Sequence, residues 1–232
     1  MLGPLMPEAI EDVPLSQLPL RERKFARTKL ALLDAMLERL REKPLADITV
    51  RELCDVVEVS EATFFNYFKK KDDLLRYFVQ IWTLEVSLVA TEAAGEDGGV
   101  DYIGAVFEHT GRRIADNPRV MLEIIGYISS SPPEDLACTP EPLGAAERLQ
   151  AFPDIEDVVA VEECEIDAMF RSGIERAKKR GELPERVDTE AAVAAVIAIF
   201  FGIPLWHAAR EPAAVASLYA ASLKTLWTGL RA

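Results

Sequence analysis

Apolar residues in this chain recur every three or four positions almost from end to end, and nowhere do Val, Ile and Thr alternate one in two. That period commits the chain to helices. A residue repeated at about 3.6 positions builds one stripe on a helix, whereas the same residues would scatter over both faces of a strand. No pair of alternating runs brackets a tight turn, so no hairpin is expected. No internal repeat is present. The expected fold class is all-α: an amino-terminal helix-turn-helix domain of three helices, followed by a larger helical domain.

The first half carries clear punctuation. A first helix is expected over 21–43, with Ala26, Leu30, Leu33, Leu37 and Leu40 on one face. Pro44 ends it, because the residue before a proline is pushed out of helical geometry. Thr49 and Glu52 have the spacing of a capping box, in which each side chain satisfies the other residue's backbone N–H. A short second helix therefore opens at Thr49 and turns Leu53, Val56 and Val57 inward. Ser60 has the chemistry of a new N-cap, opening a third helix over 61–68. Asp72 and Asp73 suit the first turn of a fourth helix, where acids meet the positive end of the helix dipole. That helix runs to Ala94 and stops at Gly-Glu-Asp-Gly-Gly.

Two short helices joined by a tight turn form a helix-turn-helix pattern. On the third helix Phe64 and Phe68 share a face and are expected in the core, packed on Leu53, Val57 and Leu75. Phe65 is rotated from them by about 100° and is left near the surface with Tyr67. Glu61, Ala62 and Thr63 are short enough for a helix to approach base edges. Thr63 can bond a base, and its methyl suits thymine. Phe65 suits a thymine methyl or sugar carbons, and Asn66 lies on the same outer side. Tyr67 and Lys71 are placed to grip phosphates, and Thr49 and Arg51 offer further contacts at the second helix. Plainer readings stand beside these. Three lysines in a row (69–71) are a common solvated surface, Thr63 can satisfy local backbone, and Glu61 repels phosphate unless it meets a cytosine amino group.

The segment ITVRELCDVVEVSEATFFNYFKKKDDLL resembles the DNA-binding domain of the tetracycline-repressor (TetR) family of bacterial regulators. The family pattern is met at Thr49, Arg51, Leu53, Val59, Ser60, Thr63, Phe64, Phe65, Tyr67, Phe68, Lys71 and Leu74. It is departed from at Cys54 and Val57, where alanine is usual, and at Glu58, where the turn normally has glycine. Glu58 then needs a left-handed conformation that costs a non-glycine residue about 1 kcal/mol. The resemblance implies a dimeric regulator, a repressor by expectation. It would bind a palindromic double-stranded DNA operator and be released by a small-molecule effector of unknown identity. It also implies a homodimer through the last two helices, and middle helices that enclose an effector pocket. Candidates for that pocket are Trp82, Phe107, His109, Tyr127, Glu162 and Phe170.

Charge divides along the same line. Residues 21–76 carry a net +2, residues 77–232 a net −12, and the first twenty add three acids to reach the total of −13. A mildly basic module on a strongly acidic one indicates two jobs. The domains are read as a loose tail over 1–20, a DNA-binding domain over 21–71 and an effector-binding and dimerisation domain over 72–232. Helices in the last are expected over 101–116, 119–130, 155–180, 188–209 and 212–230. The stretch SSSPPEDLACTPEP forms a loop after the second of them. Within 155–180, Ile155, Val159, Ile166, Phe170 and Gly173 share an arc with Glu162 near its middle. Glu162 is either a locally paired carboxylate or one that recognises a cationic or hydrogen-bonding ligand.

Residues 191–209 hold no formal charge, yet they are rich in weakly apolar alanine and include Pro204. A helix buried in a core or subunit interface is expected there, not a membrane span. In the last helix Val215, Leu218, Tyr219, Ser222, Leu223, Leu226 and Leu230 form a stripe that suits either a dimer surface or the chain's own core. Cys54, Cys138 and Cys164 lie far apart and form no disulfide framework or zinc ribbon, which agrees with a reducing cytoplasm. No phosphate loop, His-Glu-x-x-His or nucleophile elbow is present, so neither enzyme, cofactor nor metal is expected. The rivals are a helical ligand-binding or scaffold protein that has lost DNA binding, and an enzyme on a helical bundle.

Overall fold

The computed structural model describes residues 14–131 and 141–232. Part of the expected amino-terminal tail, most of the loop after residue 130, and Cys138 lie outside the described residues. Among the described residues there are ten α-helices and no strand. They are α1 (Leu20–Glu42), α2 (Val50–Val57), α3 (Glu61–Tyr67), α4 (Asp73–Ala94), α5 (Val100–Asp116) and α6 (Pro118–Ser130). There follow α7 (Ala145–Ala151), α8 (Ile166–Lys179), α9 (Thr189–His207) and α10 (Val215–Arg231).

The amino-terminal boundaries follow the sequence punctuation. Lys43 before Pro44 is extended at φ −146° and ψ 158°, and α1 ends one residue earlier. The capping box at Thr49 is complete: its hydroxyl accepts from Glu52 N at 3.1 Å, and Glu52 Oε2 accepts from Thr49 N at 2.7 Å. Ser60 caps α3 through Thr63 N at 3.1 Å. Glu58 is left-handed at φ 58° and ψ 43°, as expected of the residue standing in glycine's place. One inward assignment fails. Val56 is 52% exposed, because eight residues of helix bury a narrow face and Leu53 with Cys54 fill it.

Two cores share the long helix α4. The first joins Leu32, Met36 and Leu40 of α1, Leu53 of α2, and Phe64 with Phe68, to Leu74, Leu75 and Tyr77 at the start of α4. The second gathers Trp82, Val86 and Ala90 further along α4 with Phe107, Phe170, Phe200 and Tyr219. Residues 143–161 are the departure from expectation. A helix over 155–180 was expected, but α8 starts at Ile166. The segment before it folds back on the first core, burying Leu143 and Val158 there. The cause is Arg148, a buried guanidinium on α7. Its Nε donates to the carbonyl of Leu143 at 3.1 Å, and its Nη1 to Val158, Val159 and Val161 at 3.2, 3.3 and 2.5 Å. Carbonyls aimed at one side chain are not available to a helical ladder. Asp157 turns the chain there at φ 54°.

The same segment is tied to α1. Lys29 Nζ lies 2.6 Å from Glu147 Oε1 and 4.2 Å from the centre of the Tyr77 ring. Gln150 Nε2 donates to the carbonyl of Arg23 at 2.8 Å.

At the other end α5, α8, α9 and α10 pack tightly. A Cβ on Gly111 of α5 would stand 2.8 Å from Ala216 Cα, so only glycine admits this approach. α9 is long and apolar enough to span a membrane by composition, yet only 28% of its most apolar stretch is buried in this chain. The buried residues, Ala192, Val193, Val196, Phe200 and Pro204, form one face. The expectation of burial on all sides is therefore unmet within a single chain. The stripe on α10 divides: Val215, Tyr219 and Leu223 are buried in the chain's own core with Trp227, while Leu218, Ser222, Leu226 and Leu230 are half-buried.

Candidate functional site

The outer face of α3 is the most distinctive surface of the first core. Phe64 and Phe68 are buried at 0% and 4% exposure, and they hold α3 by its inner side. Glu61, Ala62, Phe65 and Asn66 then project outward, with Phe65 51% exposed. A phenylalanine ring held in solvent by a rigid helix is costly to keep exposed, and it marks a contact surface. Thr63 is half-buried, and its hydroxyl lies 2.9 Å from Ser60 Oγ, so part of its bonding capacity is used locally. Tyr67 is half-buried and meets Phe25 of α1 edge-on, ring centres 4.6 Å apart. The first turns of α1 thus stand beside the end of α3. They carry Arg21, Lys24 and Arg27, all exposed. The helical pattern alone gave no reason to connect these bases to α3.

Arg51 is exposed at the start of α2, with only a loose approach to Asp55 at 3.9 Å. Thr49 is committed to its capping box, whose partner Glu52 also accepts from Lys43 Nζ at 2.6 Å. The Lys43 ammonium, then the Thr49 N–H and hydroxyl, hold the Glu52 carboxyl down from 4.5 to about 2. Lys71 corrects the expectation most clearly. Its ammonium does not face outward. It donates to the carbonyls of Leu45, of Ala46 at 3.3 Å and of Ile48 at 2.6 Å, tying the link between α1 and α2. Three carbonyls matched to three N–H donors make it a structural clamp.

A second site opens behind the first core. A cavity of about 340 Å³ lies among α1, α4, α5, α6 and α9. Phe78, Trp82, Ile114, Met121, Ile124 and Phe200 give it an apolar wall, and Asp34, Glu38, Arg41, Arg113, Asp116 and Asn117 a polar edge. Of the residues expected in an effector pocket, Trp82 lines this cavity. Phe107 and Phe170 do not. They are sealed in a ring cluster with centres 5.6 Å apart, against Phe200 and Tyr219. His109 Nε2 lies 3.1 Å from Glu85 Oε1, while Arg113 holds the other oxygen at 2.9 Å. Burial pushes the Glu85 carboxyl up, but His109 and Arg113 outweigh it and hold it below its ordinary value. Tyr127 packs on the first core. Glu162 is exposed on the segment before α8, not on a helix, so its proposed place in a pocket is overturned. Phe78, Phe200 and Phe201 line the cavity without having been expected to. Apolar positions on a helix look the same in sequence whether a ring fills a core or walls a cavity.

The cavity edge touches α1 and the link that follows it directly. Arg41 of α1 donates to the carbonyl of Asp116 at 3.2 Å, and Asn117 to the carbonyl of Leu37 at 3.1 Å. Glu123 of α6 accepts from Leu45 N at 2.9 Å. Among the described residues no cluster of His, Cys, Asp or Glu is arranged to hold a metal ion.

Residues 32–78 match the family described as bacterial regulatory proteins, tetR family. No curated protein matches the chain in sequence. Among solved structures the chain is similar to FadR from Bacillus subtilis in complex with stearoyl-CoA. That match has TM-score 0.64 and 15% identity, covering 86% of this chain and 98% of that one. It is also similar to FadR from Thermus thermophilus, a TetR-family repressor in complex with lauroyl-CoA, with TM-score 0.59, 18% identity and coverage of 87% and 94%. A third is SmeT, repressor of the Stenotrophomonas maltophilia multidrug efflux pump SmeDEF, with TM-score 0.57, 16% identity and coverage of 87% and 89%. The helix-turn-helix over residues 32–78 thus matches the tetR-family model, and the described chain shares its fold with these solved regulators.

Proposed function

We propose that the chain is a dimeric repressor that reads a palindromic operator with α3 and lets go when a small molecule fills the cavity behind α1. The observation that carries this reading is the outward face of α3. Glu61, Ala62, Phe65 and Asn66 stand clear of their own core on a helix pinned at both ends, the condition for entering a major groove. Arg51 supports it as a further base or phosphate contact. Arg21, Lys24 and Arg27 add positive charge beside Tyr67 for the sugar-phosphate backbone.

A second copy is supported by α9. Ala194, Ala198, Gly202, Leu205 and Trp206 lie exposed on its outer face, with Leu205 at 60% and Trp206 at 64%. Apolar surface of this kind on a soluble fold calls for a partner. A twofold dimer then presents two α3 helices to two half-sites. Release by a ligand is supported by the shared wall. The cavity is bounded on one side by α1, so occupancy that favours a different α1 position lowers DNA affinity by the ligand's differential binding to the two states. The reading assigns no enzymatic step.

The test is selection by the full-length protein from random duplexes. Enrichment of an inverted repeat with two equivalent half-sites is expected. A pool with no enriched repeat removes the repressor reading and leaves a ligand-binding helical protein.

A further inference from the structure

We propose that each operator half-site sets the C5-methyl group of a thymine against Phe65, so that the middle of the reading face of α3 selects a base by carbon contact and not by hydrogen bonds. This rests on the reading of α3 as the helix that enters the groove, and it adds the base that the exposed ring selects.

The outward face of α3 is apolar at its centre and polar only at its margins. Successive residues turn by about 100° along a helix, so Ala62 and Phe65 lie side by side, with Glu61 on one flank and Asn66 on the other. The two hydroxyl-bearing residues are turned to the inner half. Thr63 is half-buried with its hydroxyl 2.9 Å from Ser60 Oγ, and Tyr67 is half-buried with its ring edge-on to Phe25. Phe65 is 51% exposed, and the Phe64 ring steadies it from one side, 82° off its plane with centres 5.4 Å apart. Ala62 is one turn earlier on the same face, and its single methyl leaves the ring clear to project.

A helix seated in a major groove meets base edges along the middle of its outward face, and sugars and phosphates along its margins. The central place of Phe65 therefore favours a base over sugar carbons. On the groove floor thymine alone presents a methyl group, whereas guanine, adenine and cytosine present ring nitrogen, carbonyl or amino groups. A phenyl ring laid over those groups takes them from water without offering a partner. Laid over a thymine methyl, it removes carbon from water on both sides of the contact. The exposed cations beside the end of α3, Arg21, Lys24 and Arg27 on α1, favour a polyanionic duplex over an apolar protein surface as the partner of this face.

The test uses the full-length protein and the inverted repeat enriched from random duplexes. Each thymine of the repeat is exchanged, one position at a time, for deoxyuridine, which differs only by the missing methyl. At one position in each half-site the exchange is expected to weaken binding about fourfold, the scale of one buried carbon. Phe65→Ala is expected to bind the thymine and uracil duplexes equally at that position. An enriched repeat in which no exchange changes affinity overturns this inference and leaves the repressor reading standing. A uracil penalty that Phe65→Ala keeps in full also overturns it, because the methyl then acts through duplex shape or through another residue. If no repeat is enriched at all, the reading of α3 falls and takes this inference with it.

Discussion

The hydroxyl of Tyr219 on α10 donates to the carbonyl of Phe200 on α9 at 2.6 Å. Phe200 lies four residues before Pro204, so in a regular helix the N–H of residue 204 would serve that carbonyl. Proline has none. The tyrosine from the neighbouring helix supplies the missing donor, and both residues are essentially fully buried. Tyr219→Phe is therefore expected to destabilise the protein by about 1–3 kcal/mol, the cost of an unsatisfied buried carbonyl. The same change on a Pro204→Ala background is expected to cost less, because alanine restores an N–H. A double-mutant cycle by urea unfolding measures the difference, and equal costs in both backgrounds refute the coupling.

The Lys29–Glu147 ion pair joins α1 to the segment carrying α7, with side chains only 16% and 9% exposed. Glu147→Leu leaves the ammonium buried without its partner and also removes the acceptor for Gly144 N. A loss of about 3–5 kcal/mol is expected. Adding Lys29→Met is expected to recover most of that loss, since an apolar pair of similar size needs no desolvation. Thermal unfolding of the two single variants and the double variant checks it.

Lys71 gives a prediction that separates a clamp from a phosphate contact. Lys71→Met is expected to lower stability by about 1–3 kcal/mol through the orphaned carbonyls of Leu45, Ala46 and Ile48. On the selected operator, the slope of log affinity against log salt is expected to stay unchanged. A slope smaller by about 1 would mean that the lysine touches a phosphate in the complex.

Phe65→Ala is expected to weaken operator binding by about tenfold, the scale of a lost apolar base contact, with no loss of thermal stability. The ring is half exposed and meets its own core only edge-on, at the Phe64 ring with centres 5.4 Å apart. Gel-shift titration and a melting curve read the two effects separately. A melting temperature that falls with the affinity would assign Phe65 to the fold.

Acid should loosen the start of α2. The folded Glu52 carboxyl sits at about 2 against an ordinary 4.5, because Lys43 and then Thr49 bond its charged form. A depressed value stabilises the fold above the ordinary range, and that contribution is lost as pH falls from about 4.5 toward 2. Glu52→Gln is expected to flatten the stability profile over that window and leave the profile above it parallel to the parent's. An unchanged acid limb would place the acid sensitivity elsewhere.

Much of this architecture is written in local chemistry. The end of α1 at Pro44, the box at Thr49, the left-handed Glu58 and the cap at Ser60 all depend on residues within a few positions of one another. A single chain segment therefore decides them, and the split of Phe64 and Phe68 from Phe65 follows from helical rotation alone. Other features were decided where distant segments meet. Lys71 reads as a surface cation until the link after α1 folds under it. Residues 155–165 read as helix until Arg148 draws their carbonyls away. Phe107 and Phe170 cannot be told from cavity-lining rings by spacing, because one apolar face serves equally to fill a core or to wall a void. Which of the two it does depends on the helices packed opposite, and that is a property of the assembled fold.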